Sequence, residues 1–146
     1  LIIMNVQKKK KISLSDYILQ PDKRDLILSI EIPAGYELRS YSTRKYSRTV
    51  NDISIISVAV TLKKNLNNKI EKPLFAVGGT AKTVIRLNEL ENKLDGSIIP
   101  ERDELETLTK LYLSPISDLR GSAEFKQQIA ASLLSWAVYD AVKRGN

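Results

Sequence analysis

The run Ile53 to Leu62 (ISIISVAVTL) constrains this chain more than any other feature. It is β-branched or apolar on both parities of a two-residue repeat, which is the pattern of a central strand with a neighbour on each side. Candidate neighbours lie close by. From Asp25, Leu26, Leu28, Ile30 and Ile32 alternate with Ile27, Ser29 and Glu31 and stop at Pro33, which reads as a half-buried strand with Ile27 facing away from the main core. Residues Glu37 to Ser47 contain Tyr41 and Tyr46 and no helix-forming run, so a second strand is expected there. Asn65 to Asn68 marks a turn, and Leu74 to Val77 a returning strand stopped by Gly78 and Gly79. Sequential strands with short connections favour an antiparallel sheet.

Helical periodicity takes over afterwards. Leu87, Leu90 and Leu94 predict a short helix ended by Asp95 and Gly96, and Pro100 opens a second one through Leu105, Leu108 and Leu111. Ser122 suits an N-cap and Glu124 the positive helix end. Beyond them, Ile129, Leu133, Trp136 and Asp140 trace one line and Ala130, Leu134, Ala137 and Ala141 the next, giving a broad face that ends near Gly145. Trp136 is expected in the sheet-facing core. Strands first and helices later predict an α+β domain: an antiparallel three- to four-stranded sheet with C-terminal helices packed on one face.

The chain has 146 residues with no cysteine and no histidine. Thiolate and imidazole metal sites, cysteine nucleophiles, a histidine general base and disulfides are thereby excluded. No apolar stretch approaches the ~20 residues of a membrane-spanning helix, and a cytoplasmic location with no membrane partner is expected. The first residue, Leu1, suggests a processed or excised piece of something longer. The net charge of +6 owes four charges to the consecutive Lys8 to Lys11. That run reads as a solvated turn, and no nucleic-acid partner is expected.

Few constellations could carry chemistry. Gly78, Gly79 and Thr80 read as a tight strand-to-loop turn, with a phosphate cradle as the alternative. Arg44, Lys45 and Arg48 with Asp52 could hold an anion or an electron-rich carbonyl, Asp52 orienting an arginine. Equally, they could form a solvated basic turn with Asp52 as a cap. Glu101, Asp103, Glu104 and Glu106 read as a solvated helix face, and Asp118 with Arg120 as a local ion pair at a helix entry.

Three stretches, in order and with matching spacing, resemble a known family. The first is Leu26 to Pro33 (LILSIEIP) leading to Lys45-Tyr46-Ser47-Arg48, Asn51-Asp52-Ile53-Ser54 and Val58 to Leu62; the second is Gly78 to Arg86 (GGTAKTVIR); the third is Ser117 to Phe125 (SDLRGSAEF). Together they resemble the C-terminal domain of the FAD-binding, or medium, subunit of molybdenum hydroxylases, the xanthine dehydrogenase and carbon monoxide dehydrogenase flavoprotein family. The resemblance implies that residues 1–20 end the preceding FAD-binding domain and that residues 21–146 form the flavoprotein C-terminal domain. It also implies a strand position near FAD at Ile27 and a basic position near the flavin ring at Arg44 or Lys45, with Arg48 and Asp52 flanking that loop.

By the same resemblance the parent is an oxidoreductase. Its molybdopterin sits in a large subunit and its [2Fe–2S] clusters in a small iron–sulfur subunit, electrons pass to FAD and then to an acceptor, and the fragment alone is inactive. The alternative role is a docking module for those subunits. Because FAD is shared with upstream glycine-rich loops in such proteins, the isolated chain should bind FAD weakly or not at all. Titration calorimetry checks this: sub-micromolar affinity would place the site largely within these residues.

Overall fold

Lysines 9 to 11 do not form a turn. In the computed structural model, which describes residues 1–5, 8–35 and 39–144, they are a strand. The chain divides into two units, Leu1–Glu37 and Leu38–Asn146. The first comprises β1 (Ile2–Met4), β2 (Lys9–Lys11), α1 (Leu14–Leu19) and β3 (Leu26–Ser29), with the strands in the order β2-β1-β3 and both pairings antiparallel. The strand expected from Leu26 therefore forms, but it pairs with β1 rather than joining the principal sheet. Ser13 caps α1, its hydroxyl accepting from the Asp16 amide at 3.0 Å.

The second unit holds β4 (Ser40–Tyr46), β5 (Ile56–Lys64), β6 (Ile70–Gly78), β7 (Ile85–Arg86), α2 (Asn88–Leu94), α3 (Arg102–Leu111) and α4 (Ala123–Arg144). Its sheet runs β4-β5-β6-β7, antiparallel throughout, and this is the expected α+β arrangement. The start of the expected second strand, Glu37 and Leu38, lies outside the described residues, as does Gly145. The central strand begins at Ile56 rather than Ile53, and its two parities have different fates. Ile56, Val58, Val60 and Leu62 are buried with Phe75 and Val77 of β6, while Ser57, Ala59 and Thr61 face the other way and stay half-buried or exposed.

Helices cover the first of these faces. α4 lies on β4 and β5, α2 on β6, and α3 packs on α4. Ala130, Leu134, Ala137 and Ala141 are buried in the core, so the line of small residues is the one that meets the sheet. Trp136 does not: it is 46% exposed. One residue advances a helix by about 100°, and that rotation carries the Ile129-Leu133-Trp136-Asp140 line to the flank of the contact.

Two buried charges fix the helices. Glu91 on α2 accepts the Phe75 amide of β6 at 2.7 Å and the Arg86 guanidinium of β7, with Nε at 2.8 Å. A buried carboxylate is tolerated only with such partners. At the entry to α4, the Ser122 hydroxyl accepts the Phe125 amide at 3.2 Å, as expected of its N-cap. Lys126, fully buried, donates from Nζ to Asp118 Oδ2 at 2.8 Å and to the Ile116 carbonyl at 3.0 Å.

Asp118 thus answers chiefly to Lys126, while Arg120 contributes its backbone amide at 2.8 Å and a looser contact at 3.5 Å. The Lys126 hydrogen bond, then the Arg120 amide, hold the Asp118 carboxyl below its ordinary value. A carboxyl depressed in the folded state contributes stability that is complete above its unfolded value of about 3.9 and is lost as the pH falls through the lower folded value. Melting temperatures measured downward from neutral pH should fall less steeply below about pH 4 in Asp118→Asn than in the wild type, because the variant has no such proton to take up.

Candidate functional site

Arg44 and Lys45 are consecutive on β4, and successive strand side chains point to opposite faces. Arg44 takes the helical face. Its Nε donates to Asp140 Oδ2 of α4 at 3.0 Å, Nη2 donates to the same oxygen, and the guanidinium lies 6.0 Å from the centre of the Trp136 ring. Arg102 stacks on that ring at 3.7 Å. The Arg44 charge is therefore matched by a carboxylate and an aromatic face.

Lys45 takes the other face. Its Nζ donates to the Val50 carbonyl at 3.0 Å, which draws the β4–β5 loop over the ammonium. Beside it runs an open groove of about 540 Å³ whose lining includes Thr43, Ser57, Ala59, Ala76, Gly78 and Val84; Arg44 also borders it, but its guanidinium turns to Asp140. The register pairs Thr43 with Ala59, Lys45 with Ser57, Ser57 with Gly78 and Ala59 with Ala76, so small side chains from three adjacent strands make one flat floor. A planar ring could lie against such a floor, with Lys45 supplying positive charge at its rim.

The other residues flagged by the sequence are placed less decisively. Arg48 and Asp52 are exposed in the β4–β5 loop, and their side chains make no hydrogen bond or ion pair among the described residues. Asp52 does not orient an arginine; its amide instead closes a turn onto the Thr49 carbonyl at 3.2 Å. Ile27 lies on β3 of the first unit, opposite Ile3 and 46% exposed. Gly79 has φ +88, and a Cβ there would stand 2.0 Å from the Ile55 carbonyl oxygen. That close backbone approach accounts for the glycine and supports the tight-turn reading.

Asp140, Trp136 and the groove floor were not singled out as functional. Asp140 is 96 positions from Arg44, and no local pattern couples them. The floor did have a signal, the small residues on one parity of β5. Among the described residues no group of acidic side chains could hold a metal, and no helix is long and apolar enough to cross a membrane.

The family model of the CO dehydrogenase flavoprotein C-terminal domain matches residues 41–141, nearly the whole second unit. This chain belongs to that family. As a flavoprotein domain it is 28% identical to the nicotine 6-hydroxylase medium subunit of Paenarthrobacter nicotinovorans over 97% of its own length and 52% of the relative's. It is 26% identical to the carbon monoxide dehydrogenase medium chain of Afipia carboxidovorans, covering 88% of this chain and 45% of the other. The domain thus spans about half the length of the relatives it matches.

Its fold matches reconstituted CO dehydrogenase from Oligotropha carboxidovorans with a TM-score of 0.65 and 26% identity, over 73% of this chain and 38% of that one. Quinoline 2-oxidoreductase from Pseudomonas putida shares the fold, with a TM-score of 0.67 at 20% identity over 80% of this chain and 40% of that one. The matched region, residues 41–141, is the C-terminal domain of a flavoprotein subunit of the molybdenum hydroxylase family.

The two basic residues should separate experimentally. Arg44→Ala and Asp140→Ala should each lower stability and show a coupling of about 0.5–1 kcal/mol in a double-mutant cycle, the size expected of a partly exposed, well-oriented pair. Lys45→Ala combined with Asp140→Ala should be additive. Urea denaturation of the wild type, the three single variants and the two double variants checks both statements.

Proposed function

We propose that this domain helps position FAD within the flavoprotein subunit and that Lys45, rather than Arg44, is the basic residue beside the flavin ring. One observation carries the choice: Arg44 is engaged by Asp140 and Trp136 on the helical side of β4, whereas Lys45 stands at the rim of the flat groove on the open side. Arg48 and Asp52, exposed in the loop that Lys45 tethers through Val50, are the next residues available to a bound ring. Ile27 is the further position near FAD that the resemblance implies. On this reading the C-terminal domain corresponds to the second unit, and Leu1–Glu37 belongs with the preceding FAD-binding domain.

FAD, when bound, supplies the two-electron chemistry. The domain supplies electrostatics: an ammonium in a partly desolvated site favours a reduced, negatively charged ring over a neutral oxidised one. In the proposed complex electrons reach FAD from [2Fe–2S] clusters of a small subunit, fed by a molybdopterin centre in a large one. A cytoplasmic location is part of the same proposal.

A docking role has one observation in its favour. Trp136 is 46% exposed and flanked by Arg44 and Arg102, the residue types over-represented where binding energy concentrates at interfaces.

Potentiometry on the complete subunit tests the main reading. Lys45→Ala should lower the two-electron FAD potential by about 30 mV or more, corresponding to ~1.4 kcal/mol, with the melting temperature unchanged. Arg44→Ala should do the reverse, moving stability and leaving the potential nearly in place. A potential that follows Arg44 and ignores Lys45 would refute the assignment, and potentials unmoved by either would leave docking as the better reading.

A further inference from the structure

Charge is divided unevenly within the second unit. Residues 39–82, the strands β4 to β6 with their loops, hold nine Lys or Arg against two acids, Asp52 and Glu71, whereas residues 86–144 hold eight against ten. The surplus concentrates in the β5–β6 hairpin, where Lys63, Lys64, Lys69 and Lys72 flank the tip Asn65-Leu66-Asn67-Asn68. Leu66 is fully exposed, and Ile98, whose backbone bridges to Lys69 of the hairpin, is 67% exposed.

The tip is held in place although Leu66, Asn67 and Asn68 are all exposed. Asn65 Oδ1 accepts the amides of Asn67 at 3.0 Å and Lys69 at 3.1 Å, and its Nδ2 donates to Glu71 at 2.9 Å. Asn68, with φ +59, donates its amide to the Asn65 carbonyl at 3.0 Å. At the base, Lys72 adopts φ +48, a backbone state costly outside glycine. Its amide donates to Asp95 Oδ1 at 2.7 Å and its carbonyl accepts from Arg39 Nη2, which pin it there. The register shift between Thr61 and Lys63 falls beside it, and irregularities of this kind re-aim side chains. The asparagines do the turn chemistry, so the turn itself makes no demand for leucine at position 66. Lysines serving only to keep a strand edge soluble need no fixed tip.

We infer that the β5–β6 hairpin docks an acidic protein segment that carries an apolar side chain. Leu66 and Ile98 meet the apolar residue, and Lys63, Lys69 and Lys72 meet carboxylates around it. An aliphatic centre with a charged rim is the anatomy of a small, transient interface, in which the charges set the rate of encounter and its salt dependence. Between Leu62 and Pro73 there is no arginine and no aromatic residue. The hairpin thus has no guanidinium fork for phosphate and no ring on which a base could stack, and an acidic protein fits it better than a nucleic acid does. Neither the position of FAD nor the lysine strand β2 enters this inference.

Fluorescence anisotropy with the 146-residue chain tests it, using a labelled glutamate-rich peptide with leucines spaced along it and a counterpart with alanine in place of leucine. The leucine peptide should bind, and more weakly as salt rises. Lys63→Gln, Lys69→Gln and Lys72→Gln together should weaken it about tenfold or more, whereas Lys8→Gln, Lys9→Gln and Lys10→Gln together, the same charge removed elsewhere, should change it by less than about twofold. Leu66→Ser should weaken the leucine peptide about fivefold and leave the alanine peptide unchanged. Melting curves of the variants should match the wild type; if the hairpin triple melts early, Lys69→Gln with Lys72→Gln takes its place. Equal losses from the two lysine sets would overturn the inference, because net charge alone would then account for binding. So would an unchanged affinity in Leu66→Ser, the failure of both peptides to bind, or hairpin-dependent binding of single-stranded DNA or phosphatidylserine vesicles that is tighter than that of the leucine peptide.

Discussion

The second unit depends on the split between the two parities of β5. Ile56, Val58, Val60 and Leu62 bury against Phe75, Val77 and the alanine line of α4, and this single layer of contact carries the α+β core. Because each of those side chains points one way, Ser57, Ala59 and Thr61 must point the other. The open face is therefore a consequence of the closed one. Its flatness comes from the small residues that register places side by side.

The same geometry separates the two basic residues. Arg44 and Lys45 are neighbours in sequence and carry the same charge, yet one reaches across to α4 and the other faces the groove. A carboxylate and a tryptophan on α4 hold the first. A backbone carbonyl holds the second, which leaves its charge unneutralised by any acid in the described residues. Buried polar anchors elsewhere keep this arrangement stiff: Glu91 ties α2 to β6 and β7, and Lys126 ties the start of α4 to the turn at Asp118.

The two units differ in kind. The second closes a core of its own and coincides with the family match at residues 41–141. The first is a small sheet with a lysine edge and an aliphatic one, and it spends most of its apolar side chains on its surface. The strand read from Leu26 to Pro33 was visible as alternation, but alternation says only that one face is to be covered. It does not say by which sheet, and β3 pairs with β1.

The sequence by itself determined the element types from β4 to β6 and from α2 to α4, the antiparallel order of β4 to β6, the cap at Ser122, the glycine demand at Gly79 and the family, because each is written in local periodicity, in single-residue chemistry or in motifs. Tertiary structure alone decided the rest. Trp136 and the buried Ala130-Leu134-Ala137-Ala141 line are equally good core candidates by spacing, and only the approach of α4 to the sheet turned the tryptophan outward. Lysines 9 to 11 became a strand because β1 lay alongside to pair with them. The division of labour between Arg44 and Lys45 required Asp140, 96 residues away, and a contact across that distance has no periodicity to announce it.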